Sequence, residues 1–96
     1  VTLTITEKDF QRQVLDLAAI YRWASWHPFL SKWSARGFPD LVLVRPPRVV
    51  FAELKRHRAR TTEAQREWLD LLEACPGVET YLWYPADFDE IVRVLH

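Results

Sequence analysis

The chain has 96 residues, of which 49% are hydrophobic and 14% aromatic, a composition that suits one folded domain over residues 1–96 and excludes a disordered tail. Thirteen Lys and Arg cancel thirteen Asp and Glu, so total charge argues neither for nor against a polyanionic partner, and the single cysteine, Cys75, excludes an internal disulfide and a cysteine-built zinc cage. No apolar run approaches the roughly 18 residues of a membrane span and no signal-peptide pattern opens the chain, so the expectation is a cytoplasmic protein with no membrane partner and no disulfide-linked one.

Phe10, Val14, Leu17, Ala18 and Tyr21 recur at helical spacing behind Thr6, a good N-cap, which predicts a helix from Glu7 to about Trp23. The next stretch, SWHPFLSKWSARGFP, breaks periodicity with Pro, Gly and Ser and reads as a loop or an irregular strand. Its Trp26, Phe29, Leu30 and Trp33, with Trp23 before them, serve as core, as a subunit interface or as a wedge at branched or unpaired DNA. Residues 41–44 and 49–54 are short runs of Val, Leu and Phe around Arg45-Pro46-Pro47-Arg48, which predicts two antiparallel strands and a turn. From Thr62 a T-x-x-Q capping box opens a second helix carrying Trp68, Leu69, Leu72 and Cys75 on one face, closed by Pro76-Gly77. Residues 78–84 form a third strand, and Pro85 starts a last helix with Phe88, Ile91, Val92 and Leu95 aligned. The predicted order is α-β-β-α-β-α, a mixed sheet flanked by helices, because the crossover helix returns the last strand parallel to a neighbour.

Centring the hairpin on Pro46-Pro47 places Val44 opposite Val49, and Asp40 then falls opposite Glu53. Directly opposed side chains have Cβ atoms about 4.5 to 5.5 Å apart, where like charges are destabilising unless something compensates them. Two carboxylates so placed suit Mg²⁺ or Mn²⁺, which take one or two protein carboxylates together with water and substrate phosphate. Lys55, two residues beyond Glu53, projects on the same face while Leu54 points away. An isolated E-x-K is common by chance and describes edge-strand charges equally well.

The surrounding stretch, GFPDLVLVRPPRVVFAELK, resembles the PD-(D/E)xK nuclease motif, in the G-x-P-D…E-x-K form of the VRR-NUC family. Glu7 with Gln11 is similar to that family's E-x-x-x-Q helix, Ser31 and Ser34 to its serine-containing loop, Gln65 to the glutamine opening its next helix, and WYPADFDEI to a frequent ending. The resemblance implies that Asp40, Glu53 and the Leu54 backbone carbonyl ligate a metal, with Glu7 approaching it directly or through water. Lys55 matches the catalytic lysine, and Gln65 would position water, phosphate or Lys55. From the residues alone, Glu7 is equally a first-turn acid favourable to the helix dipole and Gln65 the reciprocal half of a capping box. The small stand-alone phage and bacterial members that it resembles are implied to act as dimers on branched DNA such as Holliday junctions.

Charge is distributed unevenly. Residues 1–44 hold five basic and four acidic side chains, 45–66 seven and two, and 67–96 one and seven, giving +1, +5 and −6. A basic middle beside an acidic end is expected of a protein that presents one face to phosphates. Arg56, His57, Arg58 and Arg60 follow the lysine and lead to a helix N-terminus, where guanidinium groups and unpaired N–H groups favour phosphate. Ser31, Lys32, Ser34 and Arg36 are further candidates for nucleic-acid contact. The expectation is a Mg²⁺- or Mn²⁺-dependent DNA endonuclease selective for DNA structure. Its rivals are a sequence-specific restriction-type enzyme, a nucleic-acid-binding module without catalysis and a regulatory domain relying on a partner chain.

Overall fold

A computed structural model describes residues 5–28 and 35–96. In chain order the elements are α1 (Glu7–Ile20), β1 (Ala24–Trp26), β2 (Leu41–Arg45), β3 (Arg48–Leu54), α2 (Glu63–Glu73), β4 (Val78–Trp83), a 3₁₀ turn (Pro85–Asp87) and α3 (Phe88–Leu95). The four strands lie in the order β1-β2-β3-β4. β1 pairs antiparallel with β2, β2 antiparallel with β3, and β3 parallel with β4, so the sheet is mixed, as expected of a hairpin followed by a strand-helix-strand crossover.

Three expectations need correction. The order is α-β-β-β-α-β-α, because Ala24–Trp26 adds a strand at the edge of β2. All three of its residues are exposed, so it lacks the alternation that identifies a half-buried strand. The first helix stops at Ile20, short of Trp23, because Arg22 turns to φ 67°. Trp23 then leaves the helical path, and its indole N–H donates to the Leu95 carbonyl at 2.9 Å. Trp23 is thereby core, whereas Trp26 is 54% exposed on β1; Phe29, Leu30 and Trp33 lie outside the described residues. Cys75 is exposed beyond the end of α2 rather than on its inward face.

Alternation along β2 and β3 sorts the sheet into two faces. Leu41, Leu43, Val50, Ala52 and Leu54 meet Phe10, Val14 and Ala18 of α1 and Ile91 and Leu95 of α3 in one buried cluster. On the other face Phe51 packs edge-on against Phe38, whose ring in turn meets Trp68 of α2 at 5.1 Å. Helices therefore cover both faces. The register is the predicted one, with Val44 opposite Val49 and Arg45 opposite Arg48 around a cis Pro46-Pro47 bond. Among the described residues no helix is long and apolar enough to cross a membrane.

Two arginines of the basic middle segment are absorbed by the scaffold. Arg45 donates to the Tyr21 carbonyl at 2.9 Å and the Leu95 carbonyl at 3.0 Å, satisfying the ends of α1 and α3 where a cation is favoured. Arg48 forms a bidentate pair with Glu79, 2.7 Å on each arm, and a further bond to the Val94 carbonyl. That pairing holds the Glu79 carboxyl below its ordinary value of 4.5, chiefly through the hydrogen bonds from Arg48, with burial opposing. A carboxyl held low contributes stability that is complete above the unfolded-state value and disappears as pH falls through the folded one. We expect the urea midpoint to decline on acidification below about pH 4.5, and to decline less steeply in Glu79→Gln; parallel acid limbs would show that the pair contributes nothing.

Candidate active site

The site forms where β2 begins and β3 ends. Gly37, at φ +79°, lies so close to the first turn of α2 that an added Cβ would stand 2.4 Å from the Ala64 carbonyl carbon and 2.7 Å from the Gln65 nitrogen. Phe38 next to it is held by Phe51 and Trp68, and the Pro39 side chain is fully buried. These anchors deliver Asp40 to the mouth of the sheet. Since β2 starts only at Leu41, the Leu54 N–H of β3 has no strand partner on that side, and the Asp40 carboxylate accepts it at 2.8 Å.

Glu53 is 2% exposed. One carboxylate oxygen lies 3.7 Å from the Lys55 ammonium; the other, Oε1, is buried with no hydrogen-bond partner among the described residues. Burial first, and then the neighbouring Asp40 charge and carboxyl, push the Glu53 acid up to about 8, against the pull of Lys55. Lys55 is itself buried, its backbone N–H donating to the Trp83 carbonyl at 2.9 Å so that β3 and β4 stay joined beneath it. Asp40, Glu53 and Lys55 are thus brought together.

A cleft of about 310 Å³ opens at this point, lined by Glu7, Lys8 and Gln11 from α1 together with Asp40 and Leu54. Glu7 therefore faces the same space as Asp40, although among the described residues no three His, Cys, Asp or Glu side chains converge into a ready cluster. Asp40 and Glu53 are the pair with the chemistry to hold a divalent cation. Hard oxygen donors suit Mg²⁺ or Mn²⁺, and a buried carboxylate oxygen without a partner is the kind of group such an ion compensates.

Gln65 occupies the N3 position of α2, where its Oε1 accepts the Thr62 N–H at 2.8 Å and its own N–H donates to the Thr62 hydroxyl. Its carbonyl is engaged in that capping box, which leaves the amide NH₂ as its available donor. Arg56, His57, Arg58 and Arg60 follow Lys55 in a loop, Arg58 at φ 62°, and their side chains are exposed. The loop is fastened by the Tyr84 hydroxyl, which donates to the Ala59 carbonyl at 2.9 Å. Arg36 is exposed before Gly37; Ser31, Lys32 and Ser34 lie outside the described residues. The α1 residue that sequence reasoning missed is Lys8, on the cleft wall beside Glu7; its charge between two acids was the signal available.

A family model described as the VRR-NUC domain matches residues 6–84. A solved structure described as a VRR_NUC domain protein superposes with a TM-score of 0.71 at 20% identity, covering 97% of this chain and 87% of that one. No curated protein matches.

Proposed function

The chain belongs to the VRR-NUC domain family, a nuclease-type domain, and from that premise we propose that it is a DNA endonuclease with a PD-(D/E)xK core, using Mg²⁺ or Mn²⁺ to hydrolyse phosphodiester bonds. The observation that carries this reading is the buried Glu53 carboxylate, one oxygen of which has no partner among the described residues, set between Asp40 and Lys55.

Asp40 and Glu53 would hold the ion, with the Leu54 backbone carbonyl beside them and Glu7 reaching it directly or through water across the cleft. When bound, such an ion lowers the pKa of a water and offsets charge gathering on the phosphoryl oxygens. Asp40 spends one oxygen on the Leu54 amide, which fixes the orientation of the other. Lys55 has three N–H donors and directs them from a buried stem, so it can orient the attacking water or stabilise the phosphoryl oxygens as negative charge grows on them. The Gln65 amide NH₂ would position water or phosphate from the first turn of α2.

Arg56, His57, Arg58 and Arg60, with Arg36 and the sequence candidates Ser31, Lys32 and Ser34, would bind the sugar-phosphate backbone. Such contacts place a strand without reading bases. Selection by DNA structure, with branched DNA as substrate and a homodimer cutting two strands, is the corresponding proposal for specificity. We place the reaction in the cytoplasm.

Purified protein incubated with linear, flapped and four-way DNA should cut in Mg²⁺ or Mn²⁺ and stop in EDTA, with branched DNA preferred. Asp40→Ala and Lys55→Ala should be inert under the same conditions. Cutting that persists in EDTA, or that survives either substitution, would overturn the assignment, and a sizing run reads the dimer separately.

A further inference from the structure

A second cavity, about 240 Å³, lies along α1 and is lined by Lys8, Gln11, Arg12, Leu15 and Asp16, with His27 from just past β1. Lys8 and Gln11 line both this cavity and the 310 Å³ cleft that holds Asp40. The two spaces are therefore adjacent and share a wall. Lys8, Arg12 and His27 are exposed, and the ion pairs among the described residues are Arg48–Glu79, Lys55–Glu53 and Arg66–Asp70, none of which engages them.

Lys8 and Arg12 stand four residues apart on one helix face, a spacing at which like charges repel. An anion between them removes that repulsion, and His27 adds a third nitrogen donor from the other side. Asp16, one turn beyond Arg12, is the only carboxylate among the described residues that line the cavity and opposes an anion there. Leu15 supplies an apolar patch against which a sugar can rest. None of the scaffold's helix-end or sheet hydrogen bonds among the described residues uses the Lys8, Arg12 or His27 side chain, in contrast to Arg45 and Arg48.

We propose that this cavity is a subsite for a backbone phosphate of the polynucleotide strand, next to the phosphate at the reacting centre, with Lys8 shared between the two and Arg12 and His27 serving the outer one. The proposal rests on the nuclease reading for the identity of the strand. It moves the substrate path across α1 as well as over the 56–60 loop, so that the strand is held on both sides of Asp40.

The test uses the full chain carrying Asp40→Asn, to prevent cutting, and anisotropy of a labelled single-stranded oligonucleotide over a salt series without metal. Arg12→Gln and His27→Ala should each weaken binding roughly three- to tenfold, and Arg12→Gln should reduce the slope of log affinity against log salt by about one. Arg12→Lys should restore the slope, and Arg93→Gln on α3, which changes net charge equally, should leave binding unchanged. Asp16→Asn should tighten binding, an outcome that a merely structural role for α1 does not produce. In the cutting-competent chain Arg12→Gln should raise KM with little change in kcat.

Equal affinities for Arg12→Gln and Arg93→Gln would overturn the subsite while leaving any metal-dependent cutting by the parent intact. Arg12-dependent binding without cutting in any metal would keep the subsite and sink the nuclease reading. Absence of oligonucleotide binding by the parent would overturn the subsite outright.

Discussion

Glu53→Gln should remove cleavage while making the metal-free protein more stable near pH 8. The carboxyl is buried and pushed up to about 8, so between its ordinary value of 4.5 and that point the folded protein holds a proton the unfolded chain has lost. Stability contributed by such a group is complete below the unfolded-state value and is lost as pH rises through the folded one. The parent in EDTA should therefore lose stability from about pH 5 to pH 8, whereas Glu53→Gln, neutral throughout, should hold level and exceed the parent at pH 8 by roughly 4 kcal/mol. Activity should move the other way, falling about 10³-fold in kcat or more, since a neutral amide is a poor ligand and lacks the charge that the ion and Lys55 require. Metal binding to the parent should release protons and strengthen with pH over the same interval. Chemical unfolding across pH, beside a cleavage assay, reads both halves. A variant that is less stable than the parent at pH 8, or that still cuts at the parent's rate, would refute this account of the buried carboxyl.

The second large effect is expected at Gly37, and it is separable from ordinary glycine strain because the chain supplies its own control. Gly37 and Gly77 have nearly the same backbone, φ +79° and +81°, but a Cβ at Gly37 meets Ala64 and Gln65 backbone within 2.4 to 2.7 Å while one at Gly77 meets nothing within 4 Å. Gly77→Ala should cost only the left-handed penalty, about 1 kcal/mol. Gly37→Ala adds a collision with backbone that cannot swing aside, and should cost about 3 kcal/mol or more, lowering the thermal midpoint by roughly 15 °C in a domain of this size. It should also reduce cutting beyond what stability explains, because forcing the 37–39 segment off α2 displaces Asp40. Equal thermal shifts for the two variants would contradict the close approach as the reason for a glycine here.

Much of the site is legible in the amino-acid sequence because its logic is local. Residues 40–55 form one hairpin, and a register read from the apolar runs around Pro46-Pro47 is enough to bring Asp40 toward Glu53 and Lys55. The capping box at Thr62 and Gln65 is likewise a four-residue signal and is observed. The illegible parts depend on distant partners. β1 is a strand because β2 offers it an edge, and nothing in Ala-Ser-Trp announces that. The early end of α1 is hidden by apolar spacing that continues through Tyr21, with no Gly or Pro to mark the stop; Arg22 makes the turn at φ 67°, and Trp23 is held beyond it by the bond to the Leu95 carbonyl 72 residues away. Charge counting overstated the phosphate-facing surface for the same reason, since Arg45 and Arg48 are committed to helix ends and to Glu79.

The bond from the Leu54 amide to Asp40 makes that amide a resident reporter. Its proton sits on the carboxylate that would take the ion, so any reorientation of Asp40 is written directly into the resonance frequency and solvent-exchange rate of one backbone signal. Occupancy of the centre can thus be followed in the unaltered protein, without a chromophore, a substrate or turnover.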